Sequence, residues 1–346
     1  MNRRYLFFVS LAYSYPILRP LQAEIWRRGD DVAWYVEEPC VNLLKENEKR
    51  LNSIQDVLDY QPMAVFTPEN LVYDCFPGVK VFVFHGYAIN KRAEKTDDHF
   101  TVRGWFDIYC TQGKSSTPQF RELEKKYGYF KVYETGWCKV DPFFEQPAEP
   151  VKNEKPVILY STTFSKRVTS APYLLETLTQ LVETKPWNWM ITLHPRLVPE
   201  LVQKYENLAA RHKNVTFCRY NDGINTFRNV DVMLCDSSSI IVELLLLDKP
   251  VVTFRNTCPG HHLINVLHEK EVGDAIEKAL TRPADLMENI RAYTAYHEAH
   301  RDGQNSARVL DAVDDFILNY KGKIRKKPLN LFRKVKLRMK IRYYRF

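Results

Sequence analysis

Paired cysteines, glycine-rich phosphate loops and long apolar runs are all missing from this chain of 346 residues. The seven cysteines, at 40, 75, 110, 138, 218, 235 and 258, are scattered, with no CxxC and no repeated spacing. Several lie in apolar runs. That pattern points to reduced, buried thiols in a cytosolic protein and argues against a disulfide framework or a zinc site. No G-x-x-x-x-G-K-[ST], G-x-G-x-x-G or G-x-S-x-G occurs, which disfavours P-loop, dinucleotide-binding and hydrolase readings. The stretch YLFFVSLAY near the start is too short to cross a bilayer and has no convincing cleavage site, so it reads as a strand. His261 and His262 in CPGHH lack further ligands at a metal-binding spacing and read as loop residues. No internal repeat or low-complexity segment is evident.

Acid is missing from one region. Residues 321–346 hold 12 Lys or Arg and no Asp or Glu. Removing those 12 from the chain's 50 basic residues leaves 38 against 42 acidic ones, a body at −4. A nucleic-acid protein more often spreads its cations over the folded surface, so nucleic acid is not the expected partner. Within the tail Phe332, Val335, Met339, Tyr343 and Phe346 fall on one helical face, although Val335–Tyr343 also alternates like a strand. Either way the tail presents apolar and positive groups together, as expected of a segment that settles on an anionic membrane. A solvated tail or an RNA contact are the alternatives.

What the chain does have is an alternation of short apolar runs with amphipathic stretches. RYLFFVSL, a helix over PILRPLQAEIWRRG closed by Gly29, and DVAWYVEE form a first βαβ unit. MAVFT, VKVFVFHG, FDIYCTQG and FKVYETG continue the series. Residues 141–156, DPFFEQPAEPVKNEKP, are rich in proline and charge and read as a linker. VILYSTT, WMITLHP, VTFCR, DVMLCD and PVVTF follow as a second series. The expected fold class is α/β, with two Rossmann-like domains whose parallel sheets face across a cleft, as in GT-B proteins. The domains are read as 1–140 and 157–320, the last helices crossing back towards the first, with 321–346 as a basic tail.

Polar residues recur where these strands end, and open parallel sheets bind ligands at their C-terminal edge. In VMLCDSSSIIVELLLLDKPVV, residues 232–252, the turn DSSS joins a buried strand to a buried helix. Asp236, Ser237, Ser238 and Ser239 are placed either to cap that helix or, with its free amides, to hold an anion. ITLHPR sets His194 and Arg196 past another strand, with forked donors suited to phosphate. YSTTFSKR adds Ser161, Thr162, Thr163 and Lys166. His85 and Gly86 follow VKVFVF, with Lys91 and Arg92 close by, and a histidine there can accept a hydroxyl's proton near neutral pH. Glu243, in the leucine-rich helix, can accept from ribose hydroxyls or sit on the helix face.

The ordered set FHGYAINKR, ETGWCKVDPFF, YSTTFSKR, ITLHPR, CDSSSIIVELLLLDKPVV and RDGQNSAR, over roughly residues 80–320, resembles the CDP-glycerol glycerophosphotransferase family. That resemblance implies a GT-B-like enzyme on the cytoplasmic face of the membrane, working with a CDP-linked donor such as CDP-glycerol and a glycan or lipid-linked acceptor. It implies His85 as base, His194 on the donor phosphates, and Asp236, Ser238, Ser239 and Glu243 around the nucleotide. Arg196, Ser161, Thr162, Ser237, Ser306 and Arg308 join that donor set. Gly136, Cys138, Lys139 and Asp141 match a G-x-P-R-x-D segment at two of its four positions. Asp302, Gly303, Ser306 and Arg308 match D-G-x-x-S-x-R. Glu243 replaces the family's aspartate, and the chain is shorter than the teichoic acid polymerases. No cofactor is required, since the donor carries the reactive phosphate, and metal dependence stays open. A nucleotide-sugar glycosyltransferase, a sugar-nucleotide epimerase and a non-catalytic scaffold are the rival readings.

Overall fold

The computed structural model describes residues 2–87, 99–145, 153–194, 196–218 and 227–344. The chain divides into two compact units. The first takes Met1–Ala88, Asp97–Gln146 and Tyr296–Phe346, and the second is built on Pro147–Ala295. Each holds one six-stranded parallel sheet.

In the first unit the strands are β1 (Arg4–Val9), β2 (Asp31–Val36), β3 (Ala64–Thr67), β4 (Val79–Phe82), β5 (Ile108–Thr111) and β6 (Lys131–Glu134). Their order is β2-β1-β3-β4-β5-β6, parallel throughout. The second unit has β7 (Val157–Thr162), β8 (Asn188–Leu193), β9 (Val215–Phe217), β10 (Val232–Cys235), β11 (Val251–Phe254) and β12 (Ile264–Val266). Their order is β12-β11-β10-β7-β8-β9, again parallel. Both are Rossmann-like, and the strand order reverses between β1 and β3 in one and between β7 and β10 in the other. At such a reversal the crossovers leave to opposite faces and open a crevice beyond the strand ends.

The apolar runs form these strands because helices cover both faces, so every residue of β3, β4, β5, β10 and β11 is buried. Trp34, Tyr5 and Phe66 fill the first core, Trp189, Tyr160 and Tyr205 the second. The strand β12 is absent from the sequence reading. Its three residues, INV, are too short to show a period.

Of the stretch read as a linker, Asp141–Phe144 is a helical turn of the first unit, and 146–152 lie outside the described residues. The helix Asn305–Asn319 packs on the helix Ser14–Arg27 and on β5, with Arg28 reaching Asp311 at 2.9 Å and Arg3 reaching Asp314 at 2.7 Å. Residues 321–344 are no loose tail. Lys327 pairs with Asp107 at 2.8 Å, and the helix Leu331–Lys340 is fixed by Arg338 on Asp74 at 2.7 Å and Lys340 on Glu37 at 3.1 Å. Leu337, Ile341 and Tyr343 pack against the first core. Among the described residues no helix is long and apolar enough to cross a membrane.

Gly78 sets the entry to β4. Its φ is +84°, and a Cβ there would lie 2.3 Å from the Pro62 carbonyl oxygen. Strain and backbone clash together make Gly78→Ala destabilising by about 2 kcal/mol or more. Chemical denaturation checks this: an unchanged midpoint would mean that the 62–79 corner relaxes freely.

Candidate functional site

In each sheet a buried carboxylate spans the point where strand order reverses. In the second unit Asp236 directly follows β10 and is fully buried. It accepts hydrogen bonds from Thr163 N at 3.0 and 3.1 Å and from Ser170 N at 3.0 Å, both on the segment after β7. In the first unit Glu69 follows β3 and accepts from Ser10 N at 3.1 Å, Leu11 N at 3.0 Å and Ser14 Oγ at 3.0 Å, all after β1. Two strand-end turns, far apart in sequence, are thus clasped into one rim in each sheet. Burial pushes the Asp236 carboxyl up to about 6, against the two amides that favour its charge.

The clasp settles the role of DSSS within the fold. Asp236 turns away from the helix Ile240–Leu245, and its N-cap residue Ser239 makes no side-chain capping bond. Capping therefore does not account for the serines. The helix has only six residues, so its dipole adds little to anion binding. Ser237 Oγ accepts from Thr257 N at 2.9 Å and ties the turn to the loop after β11. Ser238 and Ser239 are half-buried, and Glu243 is buried within the short helix.

Beside this rim, His194 follows β8 and packs on the Phe164 ring at 4.3 Å. Its Nδ1 accepts from Arg196 N at 3.1 Å, which puts the neutral ring's proton on Nε2, a donor suited to a phosphoryl oxygen. The exposed Arg196 guanidinium lies 5.5 Å from the centre of the same phenyl ring. Ser161 and Thr162 are strand residues of β7, both buried, so the polar turn starts at Thr163. Thr162 Oγ1 is buried without a hydrogen-bond partner.

In the first unit His85 is exposed just past β4, its ring 5.8 Å from that of Tyr13 in the loop after β1. It therefore stands beside the rim clasped by Glu69. The preceding residue, Phe84, is fully buried with φ of +56°, a conformation that is strained for a bulky side chain. That kink lets the phenyl ring enter the core while the next side chain faces outward. The Gly86 carbonyl accepts from Gln112 Nε2 at 2.8 Å, and its own backbone needs no glycine. Lys91 and Arg92 lie outside the described residues.

The remaining motif residues hold the return of the chain. Buried Asp141 accepts from Asn305 N at 2.9 Å and Ser306 N at 2.7 Å, capping the helix Asn305–Asn319. Burial raises its carboxyl to about 6. Arg308 binds Asp302 at 2.9 Å, which keeps that carboxyl down at about 2. Lys139 lies over the Trp137 ring at 5.1 Å. Ser306 and Arg308 thus belong with Asp141 in the first unit, while Ser161, Thr162, His194, Arg196, Asp236, Ser237, Ser238, Ser239 and Glu243 gather in the second.

Glu298 is a residue that sequence reasoning missed, lying in a stretch with no periodic pattern. It is buried and accepts from Tyr87 Oη at 2.7 Å, Trp137 N at 3.2 Å, Asn305 Nδ2 at 3.3 Å and His300 N at 3.4 Å. It links the segment two residues beyond His85 to the returning helix. Among the described residues no group of three or more His, Cys, Asp or Glu side chains is placed to hold a metal ion.

Two Rossmann-like units with polar rims at their strand ends define a GT-B-like protein. The model of the family described as UDP-N-acetylglucosamine 2-epimerase matches residues 146–314, just under half of the chain. Solved structures share the fold over nearly the full length. A UDP co-structure of MnaA from S. aureus has a TM-score of 0.62 at 14% identity, covering 94% of this chain and 99% of that one. A wall teichoic acid polymerase, TagF, has a TM-score of 0.65 at 14% identity, covering 91% and 89%. The UDP-GlcNAc 2-epimerase of Neisseria meningitidis bound to UDP-GlcNAc reaches 0.58 at 13%, covering 90% and 100%. At such identities the likeness is one of fold. Among curated protein sequences none is similar enough to match this chain.

Burial outweighs the four donors on Glu298 and pushes its carboxyl from 4.5 up to about 8. A carboxyl that holds its proton more tightly when folded favours the folded state below its unfolded pKa. That contribution is lost as pH rises towards 8. Asp141 and Asp236 complete their share near pH 6, so the interval from pH 6 to 8 reads Glu298 alone among the three. The melting temperature should fall across that interval in the wild type and stay nearly level in Glu298→Gln, whatever its absolute value. Parallel slopes would refute the assignment.

Proposed function

We propose that the protein transfers phosphoglycerol, or a related phospho-alditol, from a CDP-linked donor to a hydroxyl of a glycan or lipid-linked acceptor, releasing CMP. The donor lies on the second unit's rim. His194 and Arg196 hold its phosphates, Ser238 and Ser239 donate to the pyrophosphate, Glu243 accepts from the ribose, and Asp236 fixes the two turns that carry these groups. His85 takes the acceptor's proton as the hydroxyl oxygen bonds to the β-phosphorus. The bond from that phosphorus to the bridging oxygen breaks, and the electron pair leaves with CMP. Preorganised donors stabilise the charge growing on the leaving group.

One observation carries this reading over the epimerase one. Moving a proton on and off a sugar carbon calls for side chains free to exchange protons, and the buried carboxylates near the first unit's rim are otherwise engaged. Glu69, Asp141 and Glu298 each accept from backbone amides, and His85 is exposed beside the clasp. The fold likeness to TagF, one structure of which was soaked with CDPG, supports the same donor class. A nucleotide-sugar 2-epimerase is the second reading, favoured by the family match over 146–314.

CDP-glycerol and CMP should raise the melting temperature of the full chain more than UDP-GlcNAc does. His85→Ala should keep that shift while losing about 10²–10⁴-fold in CMP release with acceptor present. Turnover of UDP-GlcNAc without any acceptor would install the epimerase instead, and wild-type transfer by His85→Ala would remove the histidine from the chemistry.

A further inference from the structure

The C-terminal helix has two unlike sides. One is anchored: Arg338 binds Asp74, Lys340 binds Glu37, and Leu337, Ile341 and Tyr343 enter the first core. The other is bare. Phe332 is 90% exposed and Leu329 80%, with Leu331, Met339 and Tyr344 also uncovered. The predicted stripe is therefore rotated. Val335 and Tyr343 are partly covered, Phe332 and Met339 stay outward, Leu329, Leu331 and Tyr344 join them, and Phe346 lies outside the described residues. Arg333, Lys336 and Arg342 are exposed on the same segment, as are Lys321, Lys323 and Lys326 before it.

Large apolar side chains this exposed, side by side, call for an occupant. The charge decides which kind. Residues 321–346 contain no acid, and three of their cations already neutralise Asp107, Asp74 and Glu37 on the body. The exposed cations add a single sign of charge around the apolar groups. A protein partner is recognised more often by mixed charges and a shaped groove. A fluid surface of anionic headgroups over hydrocarbon meets both features at once, apolar tips entering below the headgroups and cations lying among them.

We propose that this outward face is a docking plate for an anionic lipid bilayer, rigidly joined to the first unit. Leu329, Leu331 and Phe332 enter the interface, and Arg333, Lys336 and Arg342 meet the headgroups. The plate crosses the sheet obliquely. Lys327 and Asn330 are held beside the N-terminal end of β5, at Trp105 and Arg103, and Lys340 sits at Glu37, just past the C-terminal end of β2. His85 leaves the sheet at that same C-terminal edge. A bilayer on the plate therefore approaches the edge that carries His85, which suits an acceptor anchored in lipid. The docking itself does not depend on the transfer chemistry proposed above.

Deleting the tail would strip the first core, so point variants make the test. Co-sedimentation of the full chain should show binding to vesicles of three parts phosphatidylcholine to one part phosphatidylglycerol, little binding to pure phosphatidylcholine, and weakening with salt. The double variant Leu331→Glu/Phe332→Glu should lower the anionic-vesicle affinity at least about tenfold with an unchanged melting temperature, since both side chains are exposed. Arg333→Glu/Lys336→Glu should do the same. Equal binding to both vesicle types, or wild-type binding by either double variant, would overturn the proposal. So would tight retention on a single-stranded RNA oligomer that Leu331→Glu/Phe332→Glu leaves intact while vesicle binding is absent.

Discussion

A parallel sheet whose strand order reverses must leave two turns side by side with no crossover to join them. Here that gap is closed twice by a carboxylate on backbone amides: Asp236 on Thr163 and Ser170, and Glu69 on Ser10 and Leu11. A carboxylate is a good clasp because it accepts several N–H groups at once from amides that would otherwise lie buried and unpaired. Everything placed on the rims inherits this constraint. His194 and Arg196 stand against Phe164, one residue beyond a clasped amide, and His85 stands against Tyr13 in the loop that Glu69 fixes.

The two rims differ in what they leave outward. In the second unit the polar groups are hydroxyls, a histidine whose proton is directed to Nε2, and an arginine. Such a set is rich in hydrogen-bond donors. In the first unit the carboxylates are sunk in amides and the histidine faces out.

Much of this was legible in the sequence. Continuous apolar runs ending in polar turns marked most of the strands and the edge where the candidate residues lie. Other parts could not be read, for physical reasons. DSSS drew attention to Asp236, but its partner amide is 73 residues away, so nothing local told a clasp from a cap or a ligand. Glu69 and Glu298 lie in irregular segments, where a carboxylate has no period to betray its burial. Ser306 and Arg308 were read with the donor set; Asp141 caps the returning helix at Asn305 N and Ser306 N, contacts visible only once segments 164 and 165 residues apart are brought together, and Arg308 binds the nearby Asp302. In the tail the apolar spacing fits one helical face and a strand alternation alike, and the partner charges at Asp74 and Glu37, far away in sequence, decide which side of the helix turns inward.

The return of Tyr296–Phe346 to the first unit also bears on biosynthesis. On the ribosome the second unit has all of Pro147–Ala295 in hand while the first still lacks the helix that Asp141 caps and the segment that covers its aromatic core. The unit begun before Pro147 is thus closed only after the second is complete, and a chain arrested just beyond Ala295 carries one closed half and one open, sticky half.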